Sequence, residues 1–375
     1  MKIEVYSPTI RRKEMDAVLT ALVEDKIGPG ERGHVLIRNA REILRFDYCL
    51  ALRSPAIALY IALKALGLTE GQGVLLSALS PRYYLDVLRE LHLRPLYCDV
   101  EGGSPLIGKT TVEAALGRAG AVEARCVLLY HSLGFLPDYR SIAELGLPVI
   151  DDRSQSFGST FSLPETAEGG RAENSPASPA PEGPGSGVFT ILGLEERDML
   201  TAGGGALLYA MSRRDASVLR NFAGLPPECG LPDMNAAMAV IQFRESPRNL
   251  EKRRDIAQIF DQQARRTRHR RFALDETLCY NNYAFPLILE TGLKDVKAYA
   301  RKKDISVEGA FSHTLMGLIT EDDQAGGESG GAGGLRTEDC PEAYSLSLRT
   351  VLFPLYPRLS SAEVERVSKL ILTLP

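Results

Sequence analysis

Between residues 48 and 159 short apolar runs alternate with segments of helical character, and this rhythm restricts the fold more than any other feature. YCLAL at 48–52 reads as a strand, Arg53-Ser54-Pro55 as a turn, and the stretch up to Leu68 as a helix that is apolar nearly all round. A helix without a polar face must be buried. VLLSAL (74–79) is a second strand, residues 81–91 a helix, and RPLYCDV (94–100) a third strand. The pattern repeats with RCVLLYHSLG (125–134), a helix near 138–145 and PVIDDRSQSFGS (148–159). Strands that are continuously apolar are covered on both faces, so the expectation is an α/β fold, a mostly parallel sheet with helices on either side. Ligands in such sheets bind beyond the strand carboxyl ends, which directs attention to the residues just after each strand.

Two further strands, VFTIL and GALLYA, precede a long helical stretch from Met234 in which Pro247 predicts a break. That helix is expected to lead from a large domain, residues 1–245, into a smaller C-terminal α/β domain, residues 246–375. The closing helix, SSAEVERVSKLILTL, takes Ser360 or Ser361 as its N-cap. Residues 164–187, rich in Pro, Gly, Ser and Ala, and the glycine-rich residues 324–334 lack the apolar bulk that would offset ordering entropy. Both are expected to be mobile insertions.

With 44 Lys plus Arg against 48 Asp plus Glu, the net charge of −4 supplies no global field for nucleic acid or an anionic membrane. The basic run at 265–271 has no interleaved aromatics and reads as a solvated helix end. The cysteines are scattered, with no CxxC pair and no histidine spaced to complete a zinc site. His131 and His313 stand alone, where a packed or hydrogen-bonded ring is the default. TAGGGALL lacks both nucleotide-loop spacings and reads as a tight turn. No signal core opens the chain and no stretch of about 18 apolar residues occurs, so a cytoplasmic protein with a small-molecule or protein partner is expected.

Several segments, in order, resemble the DegT-type sugar aminotransferases, fold-type I enzymes that use pyridoxal phosphate (PLP) on nucleotide-linked keto sugars. They are Ile27-Gly28-Pro29-Gly30, RSPAIALYIALKALGLTEGQGVLL, YHSLGFLPDYRSI, VIDDRSQSFGS, MNAAMAVIQF with LEKRRDIA, and CPEAYSLSLRTVLFPLYPRLSSAEVERV. The resemblance spans most of the chain. It implies a large domain with a mostly parallel sheet, a dimer, and a cofactor site assembled from a lysine, a carboxylate, a stacking wall and phosphate donors.

Residue by residue, that site is uneven. Asp152 falls on the carboxylate that faces the ring nitrogen, and Gln155 also matches; capping the loop after the strand is the plain alternative for Asp152. In the phosphate cradle Ser-Gly-Thr is replaced by Ser54-Pro55-Ala56, which loses an N–H at Pro55 and a hydroxyl at Ala56. One lost hydrogen bond to a charged group weakens binding by roughly 1.5–3 kcal/mol. The lysine segment corresponds to residues 188–210, with Thr190 matching a family serine, but Glu195, Glu196, Arg197 and Asp198 stand where the lysine belongs. No lysine occurs from Thr110 to Glu251, and a guanidinium offers no free amine for an imine. The EERD run reads as a solvated turn, with Glu195 or Glu196 as an alternative general base. The Asn-Tyr-Arg segment that reaches a neighbouring subunit aligns with Glu228-Cys229-Gly230, and the stacking position falls near Pro81. Tyr83 and Tyr84 lie close to it, for core packing or for stacking.

The sequence therefore points to a homologue of the nucleotide-sugar aminotransferases of surface-polysaccharide biosynthesis, without normal transamination. Such a chain pairs with itself or with an active relative. Two alternatives stay open: an enzyme that retains PLP or its aminated form, or dispenses with both, on a nucleotide sugar; and a nucleotide-sugar binding or regulatory protein.

Overall fold

The computed structural model describes residues 2–161, 187–290, 292–324 and 334–375. The two expected insertions fall outside the described residues, apart from their edges. After helices α1 (Arg12–Val23) and α2 (Glu31–Leu44), the chain alternates as its apolar runs predict: β1 (Tyr48–Leu52), α3 (Pro55–Ala65), β2 (Gly73–Ser77), α4 (Arg82–Glu90), β3 (Arg94–Cys98), α5 (Lys109–Arg118), β4 (Ala124–Tyr130), α6 (Tyr139–Ala143) and β5 (Val149–Asp152). A short β6 (Thr160–Phe161), then β7 (Phe189–Gly193) and β8 (Ala206–Ala210), complete this part.

Seven of these strands form one sheet in the order β1-β8-β7-β5-β4-β2-β3. From β7 to β3 every pairing is parallel, while β8 runs against both of its neighbours. The three-glycine turn before β8 makes the reversal possible, because Gly203, Gly204 and Gly205 all take positive φ. Both faces are covered. On one, α3 sinks Leu59, Ile61 and Ala62 against Leu76, Leu128, Ile150 and Ile191. On the other, Leu36 of α2 meets Leu192, Leu207 and Tyr209. Burying each large side chain is worth about 1.5–3 kcal/mol, which accounts for continuously apolar strands.

After α7 (Arg213–Arg220), helix α8 runs unbroken from Asp233–Ala264 with Pro247 inside it. The expected break does not occur. Proline removes the N–H that would bond the Phe243 carbonyl, and the buried Ser246 hydroxyl donates to that carbonyl instead (2.8 Å). The far end of α8 carries Ile256 and Phe260 into a second core. The following elements are β9 (Leu278–Cys279), β10 (Phe285–Ile288), α9 (Leu293–Arg301), β11 (Glu308–Gly309), α10 (Leu315–Gln324), α11 (Pro341–Arg349), β12 (Thr350–Phe353) and α12 (Ser361–Leu372). β10, β12 and β11 form an antiparallel sheet, and Phe285, Phe353, Val367 and Ile371 pack with Phe260. Ile3, near the start of the chain, also joins this core and bridges to Ile305. Ser360 caps α12, its hydroxyl accepting from the Glu363 N–H.

Candidate functional site

Strand β5 ends at the centre of the large sheet and delivers two successive carboxylates, which strand alternation sends to opposite faces. Asp152 is buried and four donors converge on it. Tyr83 Oη (2.9 Å) and Tyr84 Oη (2.7 Å) donate to Oδ2; the Ser154 N–H (3.0 Å) and Ser154 Oγ (2.5 Å) donate to Oδ1. Tyr83 and Tyr84 occupy the first turn of α4, and their rings meet edge to face with centroids 5.0 Å apart. Burial, reinforced by the charge of Asp152, raises both phenols well above their ordinary range and keeps them donors.

The 195–198 turn lies beside this carboxylate. Ser154 ties it down, its Oγ accepting the Gly193 N–H (2.8 Å) and its carbonyl the Met199 N–H (3.2 Å). The solvated-turn reading holds for Glu196 and Arg197, which are exposed, and fails for Glu195 and Asp198. Asp198 folds back to accept the Glu195 N–H (2.7 Å), and Glu195 Oε1 accepts the Gly205 N–H (3.3 Å). Both side chains satisfy the backbone of a tight turn, so neither is free in solvent. Burial, with the nearby charges of Asp152 and Glu195, raises Asp198 well above the usual carboxylate range despite that bond. Arg197, the turn's one cation, points away: its guanidinium pairs with Glu308 (2.9 Å) and lies 4.7 Å over the Tyr6 ring.

Gln155 is drawn into the same neighbourhood. Its Oε1 accepts the Leu133 N–H (2.7 Å), and its Nε2 donates to Tyr283 Oη (3.2 Å), which donates in turn to the Arg197 carbonyl (2.8 Å). Thr190 is not drawn in. Its Cα pairs with that of Asp151 in the parallel register, so its side chain shares the face of Asp151 and not that of Asp152. Among the described residues the buried Thr190 hydroxyl has no hydrogen-bond partner.

At the phosphate cradle, Ser54 is spent as the N-cap of α3. Its Oγ accepts the Ile57 N–H (3.3 Å), its carbonyl accepts the Ala58 N–H (3.2 Å), and Pro55 has no N–H. Ala56, half-buried, keeps its N–H outside the bonds of that cap. The 228–230 segment folds back on its own chain, where the Glu228 and Cys229 carbonyls accept from Arg53 Nε and the Arg53 N–H.

Asp151 faces an ion-pair network on the other side. His131 Nε2 lies 2.6 Å from Oδ1; Arg153 Nε (2.9 Å) and Tyr139 Oη (2.7 Å) donate to Oδ2. Because Tyr139 Oη gives its proton to Asp151, it accepts from His131 Nε2 (2.9 Å), which therefore carries a proton. Nδ1 lies 2.6 Å from Ser156 Oγ. The charges of His131 and Arg153 overcome burial and hold Asp151 down at about 2. Sequence alone leaves His131 isolated and does not single out Ser154; it sets the 195–198 turn and the tyrosine pair around the same expected site as Asp152, without the bonds that tie them to it.

A cavity of about 580 Å³, its open mouth included, lies behind the 195–198 turn. Arg197, Asp198, Thr201, Asn249, Arg253 and Tyr283 contribute to its wall. Arg253 donates to the carbonyls of Asn282, Tyr283 and Leu355, so it staples α8 to the segments it crosses.

These residues do not fit PLP. No lysine reaches the site: all are exposed except Lys109, which is half-buried and paired with Glu144. A ring nitrogen also finds both oxygens of Asp152 already bonded.

The model of the DegT/DnrJ/EryC1/StrS aminotransferase family matches residues 8–173 and 227–372. A dTDP-4-dehydro-2,3,6-trideoxy-D-glucose 4-aminotransferase of Saccharopolyspora spinosa is 23% identical over 406 residues, covering 98% of this chain and 95% of that protein. Among solved structures, the aminotransferase TlmJ of Streptoalloteichus hindustanus superposes with a TM-score of 0.78 at 20% identity, over 98% of this chain and 97% of that one. A Streptococcus pneumoniae chain described as a sugar aminotransferase, in its PMP form, gives 0.82 at 17% identity, over 100% and 97%. The fold is that of the fold-type I aminotransferases, and the chain belongs to the DegT/DnrJ/EryC1/StrS aminotransferase family.

Proposed function

We propose that this chain is a family member that binds a nucleotide-linked sugar without transaminating it. One observation carries the reading: the segment that should supply the imine-forming amine supplies Glu195, Glu196, Arg197 and Asp198, with Arg197 turned out onto Tyr6 and Glu308. A guanidinium gives no imine, and family membership does not itself confer the family's chemistry. The nucleotide sugar is taken over from the Saccharopolyspora relative, whose name specifies a dTDP-linked keto sugar. We place it at the open cleft behind the 195–198 turn, whose wall includes Asp198, Asn249 and Arg253, with a cytoplasmic dimer, with itself or with an active relative, as the setting.

Borohydride reduction after incubation with PLP, followed by peptide mass mapping, tests the reading. No pyridoxyl-lysine peptide is expected; a stoichiometric adduct at one lysine overturns it. A second reading, cofactor-independent acid–base chemistry on the sugar, has the raised Asp198 carboxyl in its favour. It predicts turnover of a keto sugar that Asp198→Asn abolishes.

A further inference from the structure

We infer that Tyr83 is a built-in stopper: its ring stands in the space a cofactor ring would need, and its hydroxyl, with that of Tyr84, takes the hydrogen bonds Asp152 would otherwise give to a ring nitrogen. The inference rests on the reading above that this chain does not transaminate, and it names what closes the site.

Three observations support it. Both hydroxyls address one oxygen, Oδ2, at 2.9 and 2.7 Å, while Ser154 holds the other, so the carboxylate is saturated without a ligand. Tyr84 is fully buried and packs edge-on against Tyr130, while Tyr83 is only half-buried, which makes Tyr83 the more accessible ring of the two and the one able to swing aside. All the donors to Asp152 are neutral protein groups, so nothing is left unsatisfied for a pyridine nitrogen to relieve. For a ring nitrogen to reach Asp152, Tyr83 must swing out, breaking its bond to Oδ2 and its edge contact with Tyr84. Sequence loss of the lysine removes the covalent link. The stopper removes the non-covalent site as well.

Equilibrium dialysis of PLP and of its aminated form against the full-length protein, with visible circular dichroism of the bound fraction, tests this. Wild type and Tyr83→Phe, which keeps the ring, should bind neither compound measurably. Tyr83→Ala should bind at least about tenfold more tightly than wild type, a change of about 1.4 kcal/mol. Adding Asp152→Asn to Tyr83→Ala should abolish the gain. Tyr83→Ser carries the same expectation and replaces the alanine variant if thermal melting shows the latter unfolded. The stopper is overturned if wild type binds PLP as tightly as the opened variant, or if folded Tyr83→Ala and Tyr83→Ser gain nothing. Borohydride on the opened variant separates this from the broader reading. Bound but unreduced PLP supports both, no gain in binding sinks the stopper alone, and a pyridoxyl-lysine adduct in wild type sinks the broader reading.

Discussion

Asp151 and Asp152 are neighbours at the end of one strand, equally buried, and held in opposite ways. Asp151 meets a charge of the opposite sign, the Arg153 guanidinium, with the His131 ring on its other oxygen. Asp152 meets only neutral donors, two phenols and one serine, and its charge acts on another carboxyl, Asp198. A buried carboxylate is tolerable either way, because four good hydrogen bonds can substitute for an ion pair. The difference lies in what each side can do next. The Asp151 face is a closed brace for the strand end. The Asp152 face is held by neutral hydrogen bonds beside the 195–198 turn, the arrangement of a site, here filled from within.

Removing the brace should have the largest effect. Asp151→Ala leaves the Arg153 and His131 side chains facing a void and is expected to destabilise the fold by about 3–5 kcal/mol in urea unfolding. Asp152→Asn keeps the acceptor oxygen toward the tyrosines and should be markedly milder. Equal losses would mean that the two faces are held alike.

The contrast also predicts a pH profile. Asp151 titrates at about 2 in the fold against an ordinary 3.8, so its contribution is complete above pH 4 and is lost as pH falls toward 2. That shift corresponds to about 2 kcal/mol. Asp198 works in the other sense: its folded carboxyl holds its proton above pH 3.8, so stability declines as pH rises through its raised folded value. Stability should therefore climb from pH 2 to 4 and then slope downward. Asp198→Asn should remove the descending limb and leave the acid limb intact, and a descending limb that persists in this variant would assign it elsewhere.

Much of the fold was legible because a sheet covered on both faces must be written in uninterrupted apolar strands, as VLLSAL and RCVLLY are. The break expected at Pro247 was not real, since a lone proline gives no hint that Ser246 will take over the orphaned carbonyl. Of the site, Asp152 and Gln155 were singled out by the family resemblance, Asp152 at the end of an expected strand and Gln155 three residues on. Thr190 was misplaced because the face it occupies depends on register with β5, which no local pattern encodes. The donors Tyr83 and Tyr84 lie 69 and 68 residues from Asp152, and adjacent tyrosines in a helix look like core until the strand end they meet is known. Asp198 hid in a charge run of which only Glu196 and Arg197 are exposed. The one available signal was a pair of phenols opening a helix at the mouth of a parallel sheet.

The smallest expected effect is the most discriminating. Tyr84→Phe deletes a donor to a charged group where water does not enter, and should cost about 1.5–3 kcal/mol. Tyr83→Phe deletes an equivalent bond at the half-buried ring, where a solvent molecule can take the lost position beside Oδ2, and should cost about 1 kcal/mol or less. The double variant decides whether they act on one acceptor. Because both hydroxyls share Oδ2, the loss of either strengthens the other, and the pair should be worse than the sum of the single losses by about 0.5 kcal/mol or more. Strict additivity would mean that the two tyrosines are independent supports of α4, and that Asp152 is braced from its serine side alone.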